Sequence, residues 1–123
     1  MITYNFHVPF PVPKKNSRVT NRKTGRSFPS KRYREWHKIA SEVVSYQTRP
    51  KDAIKRCVAV CRFYAPDKRK RDLSNFWESV ADLFVDLGIL EDDNWFIMPI
   101  VRLEFIGIDK ENPRAELTLE LVD

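Results

Sequence analysis

The segment RCVAVCRFYAPDKRKRDLSNFWESVADLFVDLG, residues 56–88, carries the pattern that decides the fold. Its first ten residues are mostly apolar, which predicts a central β-strand. The next six, PDKRKR, predict a polar exit loop. Apolar residues then recur at helical spacing, and this predicts an amphipathic helix that begins between Asp72 and Ser74 and ends near Gly88.

The elements on either side of this segment complete an α+β pattern. Residues 2–8 alternate and predict a first strand, and residues 30–48 predict a helix with Ser30 as its N-cap. Residues 95–108 and 114–122 predict two strands joined as a hairpin through DKENP. The expected fold is therefore a single small α+β domain over residues 1–123, in the order β-α-β-α-β-β, with two helices packed on a mixed sheet.

The composition is that of an ordinary globular domain. The chain has 123 residues, of which 42% are hydrophobic, enough for one core. No apolar run approaches the roughly 20 residues that span a bilayer, and the first residues lack a signal-peptide pattern. Cys57 and Cys61 would share one strand face about 13 Å apart, which is too far for a disulfide. We therefore expect free thiols, a cytoplasmic location and no membrane association.

Charge is divided unequally between the two halves of the chain. Residues 1–71 contain 19 Lys and Arg against four acidic residues, a net charge of +15. Residues 72–123 contain three against 13, a net charge of −10. A basic half favours a polyanionic partner such as nucleic acid, because the release of counterions from phosphates drives binding. The alternatives are a solvated surface whose charges merely segregate, and an interaction module whose acidic half contacts another protein.

A long basic loop adds to this imbalance. Residues 9–30 are polar and Pro-bearing, with NRKTG as a turn signal. A loop of about 20 residues in so small a domain is typically functional or disordered. Together with the exit loop before the second helix, it supplies the candidate phosphate-binding residues, which are Lys14, Lys15, Arg18, Arg22, Lys23, Arg26, Lys68, Arg69, Lys70 and Arg71.

Acidic residues bracket the second helix. Asp72 stands at its start, and Asp92 and Asp93 lie in the turn beyond its end. If the chain folds back along the helix, oxygen ligands beside a cationic run describe a Mg²⁺ site that faces a phosphodiester. The alternatives are a helix N-cap for Asp72 and a solvated turn for Asp92 and Asp93. Asp82 and Asp86 are expected on the wet face of the helix.

The segment PDKRKRDLSNFWESVADLFVDLGILEDDNW resembles the signature of the RusA family of Holliday-junction resolvases. That signature has a basic run, Asp-Leu-Asp-Asn, a Lys soon after, a helical Asp, and a Gly before a hydrophobic pair and Asp-Asp. The matching residues here, with no gap, are Arg69, Lys70, Arg71, Asp72, Asn75, Asp82, Gly88, Asp92 and Asp93. FHVPFPVPKKN and SKRYREW are similar to the family's Pro-rich opening and to its polar-capped first helix.

The resemblance implies a Mg²⁺-dependent endonuclease, with Mn²⁺ as a substitute, that resolves four-way DNA junctions by symmetric nicking as a homodimer. The family's metal carboxylates fall at Asp72, at Asp93 and at position 74, and Asp92 matches a neighbouring acid. The predicted catalytic residues are Asp72, Glu78, Asp92 and Asp93. The predicted metal ligands are Asp72, Glu78 and Asp93.

Two residues depart from the family pattern. Ser74 replaces an Asp that binds metal, and Glu78 replaces the Lys. Serine is a neutral and weak ligand for Mg²⁺, so one negative charge beside the metal is lost. Glu78 lies one helical turn beyond Ser74 and can compensate, with Lys70 or Arg71 as the substitute cation. The alternative is a catalytically impaired protein that binds branched DNA without cutting it, in which Ser74 is a plain N-cap and Glu78 a solvated helix residue. Ser74 and Asn75 are expected to be structural neighbours of the site.

Overall fold

The computed structural model describes residues 2–14, 18–20 and 22–122, with the side chains of residues 18 and 19 outside that description. The described part of the chain forms six strands and two helices. They are β1 (Thr3–Pro9), β2 (Arg18–Thr20), β3 (Ser27–Pro29), α1 (Lys31–Ser45), β4 (Cys57–Ala65), α2 (Leu73–Asp86), β5 (Ile100–Ile108) and β6 (Arg114–Leu121).

The centre of the fold is β4, which lies inside a four-stranded sheet in the order β1-β6-β4-β5. It pairs antiparallel with β6 and parallel with β5, and α2 is the crossover between the two parallel strands. Every second side chain of β4, from Cys57 to Ala65, is buried. The predicted α+β class, the mixed sheet and the order of the main elements are therefore confirmed.

Both cysteines lie on the buried face of β4 and are free thiols, as predicted. Burial raises the pKa of Cys57 to about 11 and that of Cys61 to about 12. Because the thiolate is the reactive form, these protonated thiols are inert at neutral pH. They contribute to the core as small apolar side chains.

The predicted hairpin of the last two strands is wrong. β5 and β6 lie on opposite sides of β4, and the connection between them passes the end of β4, where the Asp109 N–H donates to the Ala65 carbonyl (2.8 Å). The physical reason is that α2 returns the chain to the starting end of β4, so β5 runs parallel to β4 along one of its edges. The other edge of β4 is then free to pair with β6. Residues 95–99 also lie outside β5, which begins at Ile100.

The predicted loop over residues 9–30 contains a short two-stranded sheet. β2 and β3 pair antiparallel, with Val19 opposite Phe28. The turn signal between them ends at Gly25, whose φ of 68° is left-handed and favours glycine. Strands of three residues show too little alternation to be recognised from the sequence.

The predicted helix boundaries at Ser30 and Gly88 are confirmed. The Ser30 hydroxyl accepts a hydrogen bond from the Tyr33 N–H (3.2 Å), which caps α1. At the other end of α2, the N–H groups of Gly88 and Ile89 donate to carbonyls of the last turn (3.0 Å each) in a Schellman motif. Gly88 has a φ of 73°, which favours glycine. The motif turns the chain back toward the start of β4.

Ser79 connects the N-terminal segment to α2. Its side chain is fully buried, and its hydroxyl donates to the Val12 carbonyl (2.6 Å) and accepts from the Lys14 N–H (3.1 Å). These bonds hold residues 12–14 against the second helix. They therefore fix the point from which the basic segment departs.

Replacement of Ser79 by Ala should lower the free energy of unfolding by about 1–3 kcal/mol, because the Val12 carbonyl and the Lys14 N–H would lose their partner inside the protein. Urea denaturation followed by circular dichroism measures this change. Ser41→Ala is the matched control, since the Ser41 hydroxyl donates within its own helix, to the His37 carbonyl (2.6 Å). The control should change stability by less than about 0.5 kcal/mol; equal losses in both variants would contradict the assignment.

Candidate nucleic-acid interface and metal site

The exit loop of β4 is closed by an ion pair. The Asp67 carboxylate accepts the Arg69 N–H (2.9 Å) and pairs with the Arg71 guanidinium (2.8 Å). These contacts lower the pKa of Asp67, with the backbone bond as the larger cause and Arg71 as a smaller one. The Arg71 guanidinium also donates to the Arg69 carbonyl (3.2 Å) and lies 5.3 Å from the centre of the Phe10 ring. Arg71 is thus part of the loop's own structure.

The remaining three cations of this loop point to solvent. Lys68, Arg69 and Lys70 are exposed, whereas the Arg71 side chain is only 17% exposed. We call these three exposed cations the basic triplet. A phosphate contact is open to the triplet with no change in the loop, while Arg71 would have to share or give up Asp67.

A cavity of about 650 Å³ lies beneath the basic triplet. The charged part of its lining is the exit loop itself, from Asp67 to Arg71. Its apolar part comes from β4, the start of α2, β5 and the residue after β1, and includes Phe10, Phe63, Leu73, Phe76, Phe105 and Ile108. Cations above an apolar floor suit a nucleotide, since the phosphate meets the charges and the sugar or base meets the rings.

Asp72 occupies the N-cap position of α2 but does not act as the cap. Within α2, all of whose residues are described, its side chain makes no capping hydrogen bond to a backbone N–H. Its Oδ1 instead accepts a hydrogen bond from the Ser74 hydroxyl (3.2 Å), and the residue is exposed. Asp72 therefore has the expected N-cap position in the backbone, but its carboxylate does not cap the helix. That carboxylate lies next to the basic triplet, at the positive end of a helix.

The two departures from the family pattern lie on the exposed side of the same helix. Ser74 and Glu78 are both exposed and stand one turn apart, while Asn75 is half-buried. The Ser74 hydroxyl is an oxygen donor close to the Asp72 carboxylate. The role of Glu78 as a metal ligand stays a prediction.

Asp92 and Asp93 lie in one turn but differ in environment. The Asp92 carboxylate accepts the Asp93 N–H (2.8 Å) and the Asn94 side-chain amide (3.1 Å), which lowers its pKa. The pKa of Asp93 is raised, first by burial and then by Asp92 and the charge of Asp82. A nearby negative charge disfavours the ionised form of a carboxyl group, so Asp92 and Asp82 both act to raise the pKa of Asp93.

The two acidic regions lie at opposite ends of β4. The Glu91 N–H donates to the Ile54 carbonyl (3.0 Å) and the Cys57 N–H donates to the Ile97 carbonyl (2.8 Å), so the turn with Asp92 and Asp93 lies at the start of β4, whereas Asp72 follows the loop at its end. Among the described residues, no group of three or more His, Cys, Asp or Glu side chains comes close enough to hold a metal ion. A metal ion bound at Asp72 would therefore need oxygen ligands from other groups, such as waters or substrate phosphates.

Sequence reasoning missed the cluster that joins α2 to α1 and to the N-terminal segment. The Lys14 ammonium lies 3.2 Å from the Asp82 carboxylate, and His37 Nε2 lies 3.0 Å from Asp86. Both carboxylates, expected to face water only, thus bind other elements. Burial, followed by the charges of Asp82 and Asp86, raises the pKa of Tyr33 to about 12. Lys14, predicted to contact phosphate, has a partner inside the protein.

The other predicted cations of the N-terminal segment are placed in part. Arg22, Lys23 and Arg26 are exposed around the turn between β2 and β3. Lys15 and the Arg18 side chain fall outside the described residues. The structure therefore presents one basic surface at the exit loop and a second at this turn.

The whole-chain comparison decides the family. The model of the endodeoxyribonuclease RusA family matches residues 9–120, nearly the full length.

The chain belongs to the RusA family.

RusA proteins are endodeoxyribonucleases that bind branched DNA junctions. No curated protein matches the chain. None of the described helices is long and apolar enough to span a membrane. The RusA match covers β1 at its last residue, the basic segment, both helices and the strands up to β6, so the resemblance extends well beyond the loop and α2.

Alanine variants of Arg71 and Lys70 should distinguish a residue that stabilises the exit loop from one that contacts DNA. Arg71→Ala should lower the melting temperature, because it removes the half-buried pair with Asp67 and the contact with the Phe10 ring. Lys70→Ala should leave stability unchanged and weaken junction binding. It should also reduce the slope of log affinity against log salt by about one. Thermal melts and binding titrations at several salt concentrations measure both; a Lys70→Ala protein with an unchanged slope would contradict the phosphate assignment.

The opposite pKa shifts of Asp92 and Asp93 predict opposite mutational effects. A raised folded-state pKa means that the folded protein binds the proton more tightly than the unfolded chain, so ionised Asp93 costs stability above its ordinary pKa. Asp93→Asn should therefore raise the melting temperature at pH 7, and the gain should vanish in acid. Asp92→Asn should lower the melting temperature at pH 7, since its ionised form is favoured by folding. Melts in EDTA across about pH 3–8 test this pair, and shifts of the same sign would contradict it.

Proposed function

We propose that this RusA-family chain is a Mg²⁺-dependent endonuclease that binds four-way DNA junctions and resolves them by symmetric nicking, as a cytoplasmic homodimer. The observation that carries the proposal concerns the Asp72 carboxylate. It makes no capping hydrogen bond to α2 and is exposed, two residues after the basic triplet. A carboxylate next to phosphate-binding cations is what a nuclease needs at the scissile bond. The family match supports the class of reaction.

The basic triplet and the helix start would hold the DNA backbone. Lys68, Arg69 and Lys70 bind phosphates by charge, and the first N–H groups of α2 add partial positive charge at the same place. The Arg71–Asp67 pair keeps the loop in shape. Arg22, Lys23 and Arg26 extend the contact to a second stretch of backbone.

The donor atoms near Asp72 suit Mg²⁺ better than a cation that needs a full protein cage. Mg²⁺ is commonly held by one or two carboxylates together with waters and substrate phosphates. Asp72 would hold the ion, with Ser74 as a neutral oxygen nearby and Glu78 one turn further along the helix. When bound, Mg²⁺ or Mn²⁺ would supply an activated water and stabilise charge on the phosphate. Asp72 would hold the ion, and the triplet would hold the phosphodiester beside it.

Asp93 and Asp92 also belong to the proposed catalytic set. The role of Asp93 as a metal ligand, which the family resemblance implies, stays a prediction. Asp92 keeps the turn in shape through its bonds to Asp93 and Asn94.

One set of observations favours a second candidate, a branched-DNA-binding protein that does not cut. Ser74 and Glu78 replace the family's Asp and Lys, and the described residues contain no three-carboxylate group. With this alternative, the basic surfaces bind junctions and another protein processes them.

Nicking of a synthetic four-way junction, with a linear duplex as control substrate, tests the proposal. We expect paired cuts in the junction with Mg²⁺ or Mn²⁺ and none with EDTA. Asp72→Asn should lower the rate at least about 100-fold, because the ligand charge is lost. Asp52→Asn, an exposed Asp outside the site, is the matched control and should leave the rate unchanged.

The double variant Ser74→Asp with Glu78→Lys separates the two candidates. It restores the family residues, so it should raise the nicking rate if the natural site is impaired. A lower rate would mean that Glu78 compensates for Ser74. Tight junction binding without any cutting, in the natural chain with either metal, would overturn the nuclease proposal and establish the binding protein.

A further inference from the structure

A second cavity lies at the starting end of β4, remote from the exit loop. Its volume is about 1110 Å³, larger than that of the cavity beneath the basic triplet. Ile2 is 58% exposed and Ile54 is buried, so the cavity reaches from solvent to the core. Its apolar lining comes from the start of β1, the segment before β4 and the end of β6, namely Ile2, Tyr4, Pro50, Ala53, Ile54, Leu121 and Val122.

Three cations surround this apolar lining. Lys51, Lys55 and Arg56 are all exposed, and the acidic residue of the lining is Asp52. Among the described residues, no acidic side chain forms an ion pair with any of these three cations. The cavity therefore presents uncompensated positive charge around an apolar floor, and this favours a partner that is both acidic and apolar.

The strand edge beside the cavity is open. β1 is the first strand of the order β1-β6-β4-β5, so its outer side has no strand neighbour in the described part of the chain. The Ile2 carbonyl accepts the Leu121 N–H (2.9 Å) and therefore faces β6. Because backbone groups in a strand alternate in direction, those of Thr3 and Asn5 face outward. They have no hydrogen-bond partner among residues 2–14, 18–20 and 22–122.

The other half of the same edge is closed. The His7 N–H donates to the Gln47 side chain (2.8 Å), and the Gln47 amide donates to the His7 carbonyl (2.9 Å). Pro9 ends the strand and has no N–H to offer. The Gln47 side chain thus takes the place of a neighbouring strand at His7. The edge beside Tyr4, where the cavity lies, has no such cover.

We propose that this cavity and the open edge at Thr3–Asn5 bind an acidic peptide segment of another protein, which adds to β1 as a short strand. In this mode of recognition, backbone hydrogen bonds supply affinity and pockets for alternate side chains supply specificity. The peptide residue opposite Tyr4 would direct its side chain to the same face as Tyr4, into the cavity. An apolar residue fits there, and acidic residues beside it would meet Lys51, Lys55 and Arg56.

A nucleic acid fits this surface less well than a peptide. DNA has no row of backbone N–H and C=O groups to pair with Thr3 and Asn5. Tyr4 is the one aromatic residue in the lining, which is too few for a row of stacked bases. The cavity also lies about 26 Å along β4 from the start of the exit loop. A bound peptide would therefore leave the exit loop open to DNA and attach the nuclease to a partner protein.

Selection from a library of random peptides displayed on phage, with the natural chain as bait and without DNA or metal, tests the proposal. We expect the enriched sequences to be acidic, with apolar residues at alternate positions. Fluorescence anisotropy with labelled synthetic copies then measures their affinity, which should fall as salt is raised, because salt screens exposed charges. Failure to enrich any sequence, or enrichment of neutral or basic ones, would overturn the proposal.

A double charge reversal, Lys51→Glu with Lys55→Glu, tests the cations around the cavity. It should weaken binding of the selected peptides at least about tenfold. The matched control is Arg34→Glu with Lys38→Glu, which reverses two exposed cations of α1 and should leave the affinity unchanged. Equal losses in both double variants would mean attraction by net charge alone and would contradict the site.

Proline at the first residue of β1 tests strand addition. Thr3→Pro removes an outward N–H at a position where an edge strand tolerates proline, so binding should weaken about three- to tenfold. Thr3→Val keeps the N–H and is the control, and circular dichroism checks that both variants fold. Equal affinities for the two variants would overturn the pairing with β1.

The remaining outcomes concern other occupants of the cavity. Displacement of the peptide by a linear DNA duplex would assign the surface to nucleic acid. Dissociation of a dimer of the natural chain by the peptide would assign it to a second copy. Either result would overturn the proposal. Because no step of the test measures cutting, its outcome is independent of the nuclease proposal.

Discussion

The structure depends on the position of β4 between two partners. Its parallel pairing with β5 forces the chain to return along the sheet, and α2 is the element that makes this return. Its antiparallel pairing with β6 brings the end of the chain into the centre of the fold. The exit loop and Asp72 follow directly from the end of β4, so their position is set by the most deeply buried strand of the protein.

The crossover helix also explains why the acidic residues fall into two regions. Asp72 is the N-cap of α2, while Asp93 follows the Schellman motif at the other end of the helix. The charge of Asp82 contributes to the raised pKa of Asp93. After Gly88 the chain continues into β5 from the starting end of β4, so Asp93 stays at that end and does not return along α2 to Asp72. The parallel pairing of β4 with β5 therefore also separates the two groups of carboxylates. Substrate oxygens become the natural completion of any metal site at Asp72.

The sequence predicts the parts of this protein that depend on local pattern. Helical periodicity, the cap at Ser30 and the glycine at residue 88 place α1 and α2 correctly. Strand pairing depends on contacts remote in sequence, so neither the separation of β5 from β6 nor the short β2–β3 pair could be read from alternation. The RusA signature located the candidate site through residue types and spacing.

The chemical roles within that site were harder to predict, because they depend on neighbours from other elements. Four consecutive cations look equivalent in sequence, yet Arg71 alone reaches both Asp67 and the Phe10 ring. The Arg71–Asp67 pair, which closes the exit loop, also has a thermodynamic consequence for DNA binding. A loop already held in one shape has little conformational entropy left to lose when DNA arrives, so more of its electrostatic attraction remains as affinity.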